Sequence, residues 1–289
     1  MNNNLFKQSW ILMKNNLIGI VEPLMFWLLV MMLVLAPLST KSSVDIGFII
    51  AASLGFLCFT AFLSGWYACV KSAVSLKNKV YNDVSERNKD QIEILKNFFP
   101  GVADYMLSIS ILTVIYFIFL GITIVAFRLC SLKLLAIYNI PQEFFNVVNT
   151  GSQLKITEYI QSNLTPHQVL SLLGIFIAGF VVYMIFNLFV LWFAPAMFYE
   201  SKNPVTAIIL ALKFLFKNIG ISLLIILVMF AINFTISVVN VFTGNGLLSF
   251  IPLILLLTYF MYYVTTVFLY YDSKTQNTSN CGSKLDREV

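Results

Sequence analysis

Asn233, Ser237 and Asn240 stand at i, i+4 and i+7 in an otherwise apolar run, so a helix would carry all three on one face. Tyr183 and Asn187 repeat the i, i+4 spacing, as do Thr60 and Ser64, and Thr258, Tyr262 and Thr265 share a face later in the chain. Amides, hydroxyls and a phenol at helical spacing suit two tasks. They can hydrogen-bond between helices, at about 0.6–2 kcal/mol per bond in a membrane. They can also line a polar cavity that binds or passes a solute. Two carboxylates stand near apolar runs. Glu22 precedes Pro23, and Asp104 follows Phe-Phe-Pro-Gly. At a helix N-terminus the backbone dipole favours an acid. A proton or cation site is the other reading of an ionisable group beside a membrane span. His167 is the only histidine, and with no carboxylate or thiolate near it in sequence it makes a poor metal ligand. Thr165 and Pro166 before it read as a helix start. No Ser-His-Asp set, zinc-protease motif, P-loop or Gly-rich nucleotide loop is present. The expectation is a chain without catalytic, cofactor or metal residues.

The elements that hold these side chains follow from composition. Of 289 residues, 59% are hydrophobic and 11% charged, and the mean hydropathy is +0.87. Soluble domains carry about 25% charged residues, so this chain cannot cover a water-facing surface. Uncharged stretches of 18, 25 and 23 residues separate Glu22 from Lys41, Asp45 from Lys71, and Asp104 from Arg128. No charge lies between Glu158 and Glu200, and none between Lys217 and Asp272. The last stretch is long enough for two crossings, and Thr-Gly-Asn-Gly at Thr243–Gly246 marks a turn between them. A crossing needs about 20 apolar residues. Six spans result: 20–40, 46–70, 103–127, 169–195, 219–242 and 247–271. Their runs are apolar all round, without the alternation of barrel strands, so they are helices.

Charge then sets orientation. With the N-terminus inside, 14 Lys and Arg fall on inner segments and 4 on outer ones, which places both termini in the cytoplasm. The same asymmetry accounts for the net charge of +5 without a nucleic-acid partner. Lys7 and Lys14 precede an apolar run with no prompt small-residue cleavage site, so the first span reads as uncleaved. Tyr270 and Tyr271 read as interfacial belt residues. Cys58, Cys69, Cys130 and Cys281 form no CxxC pair, and the two within span two read as small apolar packers.

One phrase recurs. Trp-Ile-Leu-Met-Lys14-Asn15, Glu-Ile-Leu-Lys96-Asn97 and Leu-Lys-Phe-Leu-Phe-Lys217-Asn218 each precede an odd-numbered span. Asn203 and Pro204 open a segment whose Val205, Ile208, Ile209, Leu212, Leu215 and Phe216 oppose Thr206, Lys213 and Lys217. Leu5, Trp10, Ile11 and Leu17 against Lys7, Lys14 and Asn15 make a similar pattern, and Ile92, Leu95 and Phe99 against Glu93, Lys96 and Asn97 a weaker one. Such helices should lie in the interface with apolar faces down and lysines toward headgroups. Lys-Asn would mark each junction, Asn ending a helix in a left-handed conformation and Gly19, Gly101 and Gly220 helping the chain turn. The arrangement fits three consecutive two-span units.

Trp192–Gly220, with its aromatic-Ala-Pro group, acidic residue, Asn-Pro, Ala-containing helix and Lys-Asn, resembles a pattern in six-span bacterial membrane proteins. That family includes the membrane domain of glycerophosphodiester phosphodiesterases and stand-alone relatives of unknown function. Ser64–Lys89 is similar to the family's loop after the second span. The resemblance implies a fold and a topology but no activity, because the phosphodiesterase chemistry belongs to a separate soluble domain.

The expected protein is therefore an all-α integral membrane protein, with a six-helix body at 1–271 and a polar cytoplasmic tail at 272–289, in a bacterial cytoplasmic membrane. Its long outer loop, 128–168, holds Pro141-Gln142-Glu143 ahead of a short helix. The expected role is a non-catalytic scaffold or accessory of an envelope or transport assembly. Its partners would be the lipid bilayer and a membrane protein or second copy of the chain. A transporter or permease for a small solute or lipid, using polar faces of spans four to six, is the alternative.

Overall fold

The computed structural model describes residues 2–39, 46–81, 83–149, 153–243 and 250–285. Among these residues the chain forms eleven α-helices and no strand. In order they are α1 (Asn2–Ser39), α2 (Ile46–Ser75), α3 (Val84–Lys96), α4 (Phe98–Ile137), α5 (Gln142–Asn149), α6 (Gln153–Asn163), α7 (Pro166–Val190), α8 (Phe193–Tyr199), α9 (Pro204–Lys217), α10 (Ile219–Thr243) and α11 (Phe250–Leu285). Five segments of the described residues are long and apolar enough to cross a membrane: Ile49–Ser75, Val84–Lys133, Pro166–Tyr199, Ile219–Val239 and Ile254–Thr275. They correspond to expected spans two to six. Expected span one, 20–40, falls on the second half of α1, where most side chains lie outside the described residues. The turn expected at Thr243–Gly246 lies mostly outside them too. Span four is not one continuous rod. It breaks at Leu191 and Trp192 into α7 and α8. At the other end of the chain, α11 runs past 271 to Leu285 without interruption.

The chain divides into two compact units, 1–114 with 190–289, and 115–189. In the first, burial concentrates at one end of the bundle. Buried residues include Leu12, Met13 and Asn16 near the start of α1, Trp66, Cys69, Val70, Ala73 and Val74 toward the end of α2, Ile225, Ile226 and Met229 early in α10, and Val264, Val267, Phe268, Leu269, Tyr271 and Asp272 late in α11. Ile49, Ile50 and Leu54 of α2, Leu227 and Phe234 of α10, and Ile251 and Leu255 of α11 are exposed. Aromatic rings fill the packed end. Tyr105 stacks on Phe198 at 4.1 Å, and Phe214 on Tyr271 at 4.3 Å.

The short helices α9 and α3 pack through small and polar residues and leave much of their apolar faces exposed. α9 has the expected cap, since Asn203 Oδ1 accepts from the backbone N–H groups of Val205 at 3.0 Å and Thr206 at 3.4 Å, with Pro204 at its first position. However, it buries Ala207, Ala211 and Leu215, while Val205, Ile209 and Phe216 remain 58%, 49% and 66% exposed. α3 buries Asp90, Gln91 and Ile94 and leaves Ile92 exposed, as is Phe99 at the start of α4. In lipid, helices associate through small residues and polar bonds, and large apolar side chains face the acyl chains.

In the second unit, Ile140, Phe144 and Leu164 form a cluster flanked by Tyr138, Tyr159 and Ile160. Asn139 takes φ 51° as the chain leaves α4, a left-handed conformation that Asn tolerates. Gln168 Nε2 holds the Asn139 carbonyl at 2.8 Å. Thr165 and Gln168 exchange bonds at the start of α7, backbone N–H to Oε1 at 2.9 Å and backbone N–H to Oγ1 at 3.4 Å, a capping box opened by Pro166.

Two glycines after the Lys-Asn phrases make opposite predictions. A Cβ on Gly101 would stand 2.3 Å from Ala68 Cβ and 3.0 Å from the Ser64 carbonyl, so α2 and α4 touch there backbone to backbone. A Cβ on Gly220 would meet nothing within 4 Å. In detergent melts, Gly101→Ala should destabilise by about 1–3 kcal/mol, as overpacking does. Gly220→Ala should stabilise by about 0.5–1 kcal/mol, the usual gain on removing a helical glycine.

Candidate functional site

Two of the three Lys-Asn phrases become one local device. Asn97 ends α3, its N–H bonding the Ile94 carbonyl at 3.1 Å, and its own carbonyl accepts from Gly101 at 3.0 Å as α4 begins. Asn218 does the same between α9 and α10, donating to Phe214 and Leu215 at 3.0 Å and accepting from Ser222 at 3.0 Å. In both, side-chain Nδ2 donates back to the i−4 carbonyl at 2.9 Å, Glu93 for Asn97 and Phe214 for Asn218. Neither asparagine is left-handed: φ is −75° at Asn97 and −125° at Asn218. With its side chain on the i−4 carbonyl, each residue passes the chain from one helix to the next without that conformation. The first phrase departs further. Lys14 and Asn15 lie inside the unbroken α1, and buried Asn16, not Asn15, makes the i−4 bond, to Leu12 at 2.9 Å. No proline follows closely there, whereas Pro100 sits in the first turn of α4. Asn15 instead offers its carbonyl to Gln91 Nε2 at 2.5 Å, tying α3 to α1.

Cross-links between distant segments surround these junctions. Tyr270 Oη donates to Asn218 Oδ1 at 3.0 Å, and Asn97 Nδ2 reaches Ser72 Oγ at 3.1 Å. Trp192 is fully buried and donates through Nε1 to Ser222 Oγ at 3.0 Å, fixing the break between α7 and α8 onto α10. Lys71 Nζ donates to the Phe198 carbonyl at 2.6 Å and lies 5.3 Å over the Tyr199 ring. It thus places a cation at the end of α8. Lys77 pairs with Asp272, and Tyr271 donates to Glu200. Lys79 bridges Asp90 at 2.7 Å and Glu86 at 3.2 Å. Lys202 pairs with Asp104 at 3.2 Å and lies 5.1 Å over the Tyr105 ring.

The polar faces find more local partners than interhelical bonding would give. Asn187 Nδ2 donates to the Tyr183 carbonyl at 2.8 Å, Ser237 Oγ to Asn233 at 3.0 Å, and Thr258 Oγ1 to Ile254 at 2.9 Å, each one turn back on its own helix. An exposed hydroxyl or amide beside its own i−4 carbonyl needs no second helix. Tyr183 is exposed. Tyr262 reaches across helices, donating to the Phe6 carbonyl of α1 at 3.2 Å, and Ser110 of α4 donates to Thr60 of α2 at 2.9 Å. Tyr183 and Asn187 belong to the second compact unit and Asn233 to the first. The side chains of Asn240 and Glu22 lie outside the described residues. Asp104 stands in the second turn of α4, past the first turn where the helix dipole would favour an acid. Tyr271 is not a belt residue, because it is fully buried against Trp192, Tyr199 and Phe214. His167 is exposed and lies 5.7 Å from the Tyr138 ring. Sequence reading missed Lys71, Lys77, Asp272, Glu200 and Trp192, whose partners lie 30 to 195 residues away.

No family model, curated protein or solved structure matches the chain.

Burial ranks these ion pairs. Asp272 is 5% exposed and Lys77 20%, whereas Asp104 and Lys202 are both more than half exposed. Asp272→Ala should destabilise by about 3–5 kcal/mol, the usual effect of stranding one member of a buried pair. Asp104→Ala should change stability by about 0–1 kcal/mol. A double-mutant cycle in detergent melts measures both. The hydrogen bond to Asp90, then the one to Glu86, holds the Lys79 ammonium above its ordinary pKa. A cation held above its unfolded value contributes stability below that value and loses it as pH rises through the folded one. Melting temperature should therefore decline above the ordinary lysine range, and Asp90→Asn should blunt that decline.

Proposed function

We propose that this chain is a non-catalytic membrane scaffold or accessory of an envelope or transport assembly. One observation carries the reading: the charged side chains gathered at the packed end are engaged in fastening helix ends. Lys71 holds a carbonyl, Lys77 an aspartate, and Glu200 a tyrosine. Asn187, Ser237 and Thr258 are engaged on their own helices. Broad apolar faces remain for lipid or a partner. They include Phe117, Ile118, Ile122 and Val125 on α4, and Leu170, Leu173, Phe176 and Ile177 on α7.

The full topology is six spans with both termini in the cytoplasm of a bacterial cell, a body to 271 and a polar tail beyond. Apolar run lengths and the asymmetry of Lys and Arg support it. The recurring asparagine bond to the i−4 carbonyl at Asn16, Asn97 and Asn218 supports three two-span units. The resemblance of Trp192–Gly220 to the membrane domain of glycerophosphodiester phosphodiesterases supports the same arrangement.

Single cysteines near Lys89 or Lys213 should resist an impermeant thiol reagent on intact cells, while one near Gln153 should react. The reverse pattern would invert the topology. Purification in mild detergent followed by mass spectrometry should find a stoichiometric membrane partner or a defined oligomer. A lone monomer that conducts a solute across proteoliposomes would favour the transporter reading instead.

A further inference from the structure

The segment leading into α9 meets the start of α4 at Lys202. Ser108 Oγ donates to the Lys202 carbonyl at 2.7 Å, and the Lys202 ammonium reaches Asp104 at 3.2 Å. Tyr105 lies beneath that ammonium and stacks on Phe198, whose carbonyl holds Lys71. Lys71 and Lys202 are thus joined through one aromatic pair and are close enough to repel each other. The contacts of Lys71 are a carbonyl and a ring, both neutral, and the nearby Asp272 is paired with Lys77. Of the three lysines here, Lys77 and Lys202 each pair with a carboxylate and Lys71 is held by neutral groups, while the third carboxylate, Glu200, accepts from Tyr271.

The surroundings are apolar on one side. Leu107, Ile111 and Val114 lie at i, i+4 and i+7 on α4 and are exposed, so an uncovered stripe leads away from Lys202 along the helix. Val205, two residues past Asn203, is exposed beside the same lysine. A double cation at the head of an apolar track complements a molecule with an anionic head and a hydrocarbon tail. We propose that Lys202 and Lys71 bind the phosphate of an anionic phospholipid, with an acyl chain along Leu107, Ile111 and Val114. The site rests on the membrane reading above. Asp104 opposes the anion and weakens the site.

The test uses the full chain in lipid nanodiscs of phosphatidylcholine with a minor fraction of phosphatidylglycerol. After detergent extraction, the lipids retained per protein are counted by mass spectrometry. Phosphatidylglycerol should be retained above its share of the disc. Lys202→Gln should lower that retention about fivefold, the factor one lysine contributes beside an anionic surface. Asp104→Asn should raise it. The paired variant Lys213→Gln with Lys217→Gln should leave it unchanged, as should excess inorganic phosphate. Melts of each variant check that the fold is kept. Retention in proportion to disc composition would overturn the site. So would equal losses in the Lys202 and Lys213/Lys217 variants, which would indicate diffuse surface charge, or displacement by inorganic phosphate, which would indicate a free-phosphate site. A chain that inserts normally but shows no lipid preference leaves the scaffold reading intact, whereas one that fails to insert overturns both.

Discussion

A helix end leaves carbonyl groups without intrahelical partners, and the packed end of this protein is organised around supplying them. A backbone group left unpaired away from water costs free energy comparable to a lost hydrogen bond. Asn97 and Asn218 each give a side-chain N–H to the i−4 carbonyl where one helix passes into the next. At the end of α8, Lys71 supplies the donor from another helix. Tyr270 then holds Asn218, and Ser72 faces Asn97, so each local repair is also a tertiary tie. Bending and fastening are the work of the same few side chains.

The distribution of packing follows from the solvent. Between helices in lipid there is no hydrophobic driving force, since acyl chains are as apolar as Leu. Close contact therefore gathers where small residues, aromatic rings and polar bonds can supply it. Ala207 and Ala211 bring α9 against the body, and Gly101 lets α4 approach α2. Trp66 and Trp192 fill the space between. Farther along α2, α10 and α11 the large side chains are exposed, as acyl-facing residues should be.

Much of the architecture was legible in the sequence because hydropathy and charge report directly on it. The start of α2, the limits of α10, the cap at Asn203 and the helix start at Thr165 and Pro166 follow from local residue chemistry. The packed faces of α3 and α9 did not, because an amphipathic pattern marks the apolar face and does not say which small or polar residues meet the neighbouring helices. In α9 the small residues pack inward, and Val205 and Phe216 turn outward. The ties of Lys71, Lys77 and Glu200 were hidden for a different reason. Each joins residues far apart in the chain, and a lysine after an apolar run looks like any solvated loop cation. Glycine and asparagine after Lys were read as turn formers. Gly101 acts through its missing Cβ, and the asparagines through their amides.

The central claim is that the short helices α8 and α9 belong to the most firmly held part of the molecule, not to a mobile surface layer. Hydrogen–deuterium exchange of the bilayer-reconstituted protein tests it directly. Amides from Ala207 to Asn218 and around Trp192 should exchange over hours, as slowly as those of Ile225 to Met229 in α10. Exchange of the α9 amides within seconds, while α10 stays protected, would contradict it.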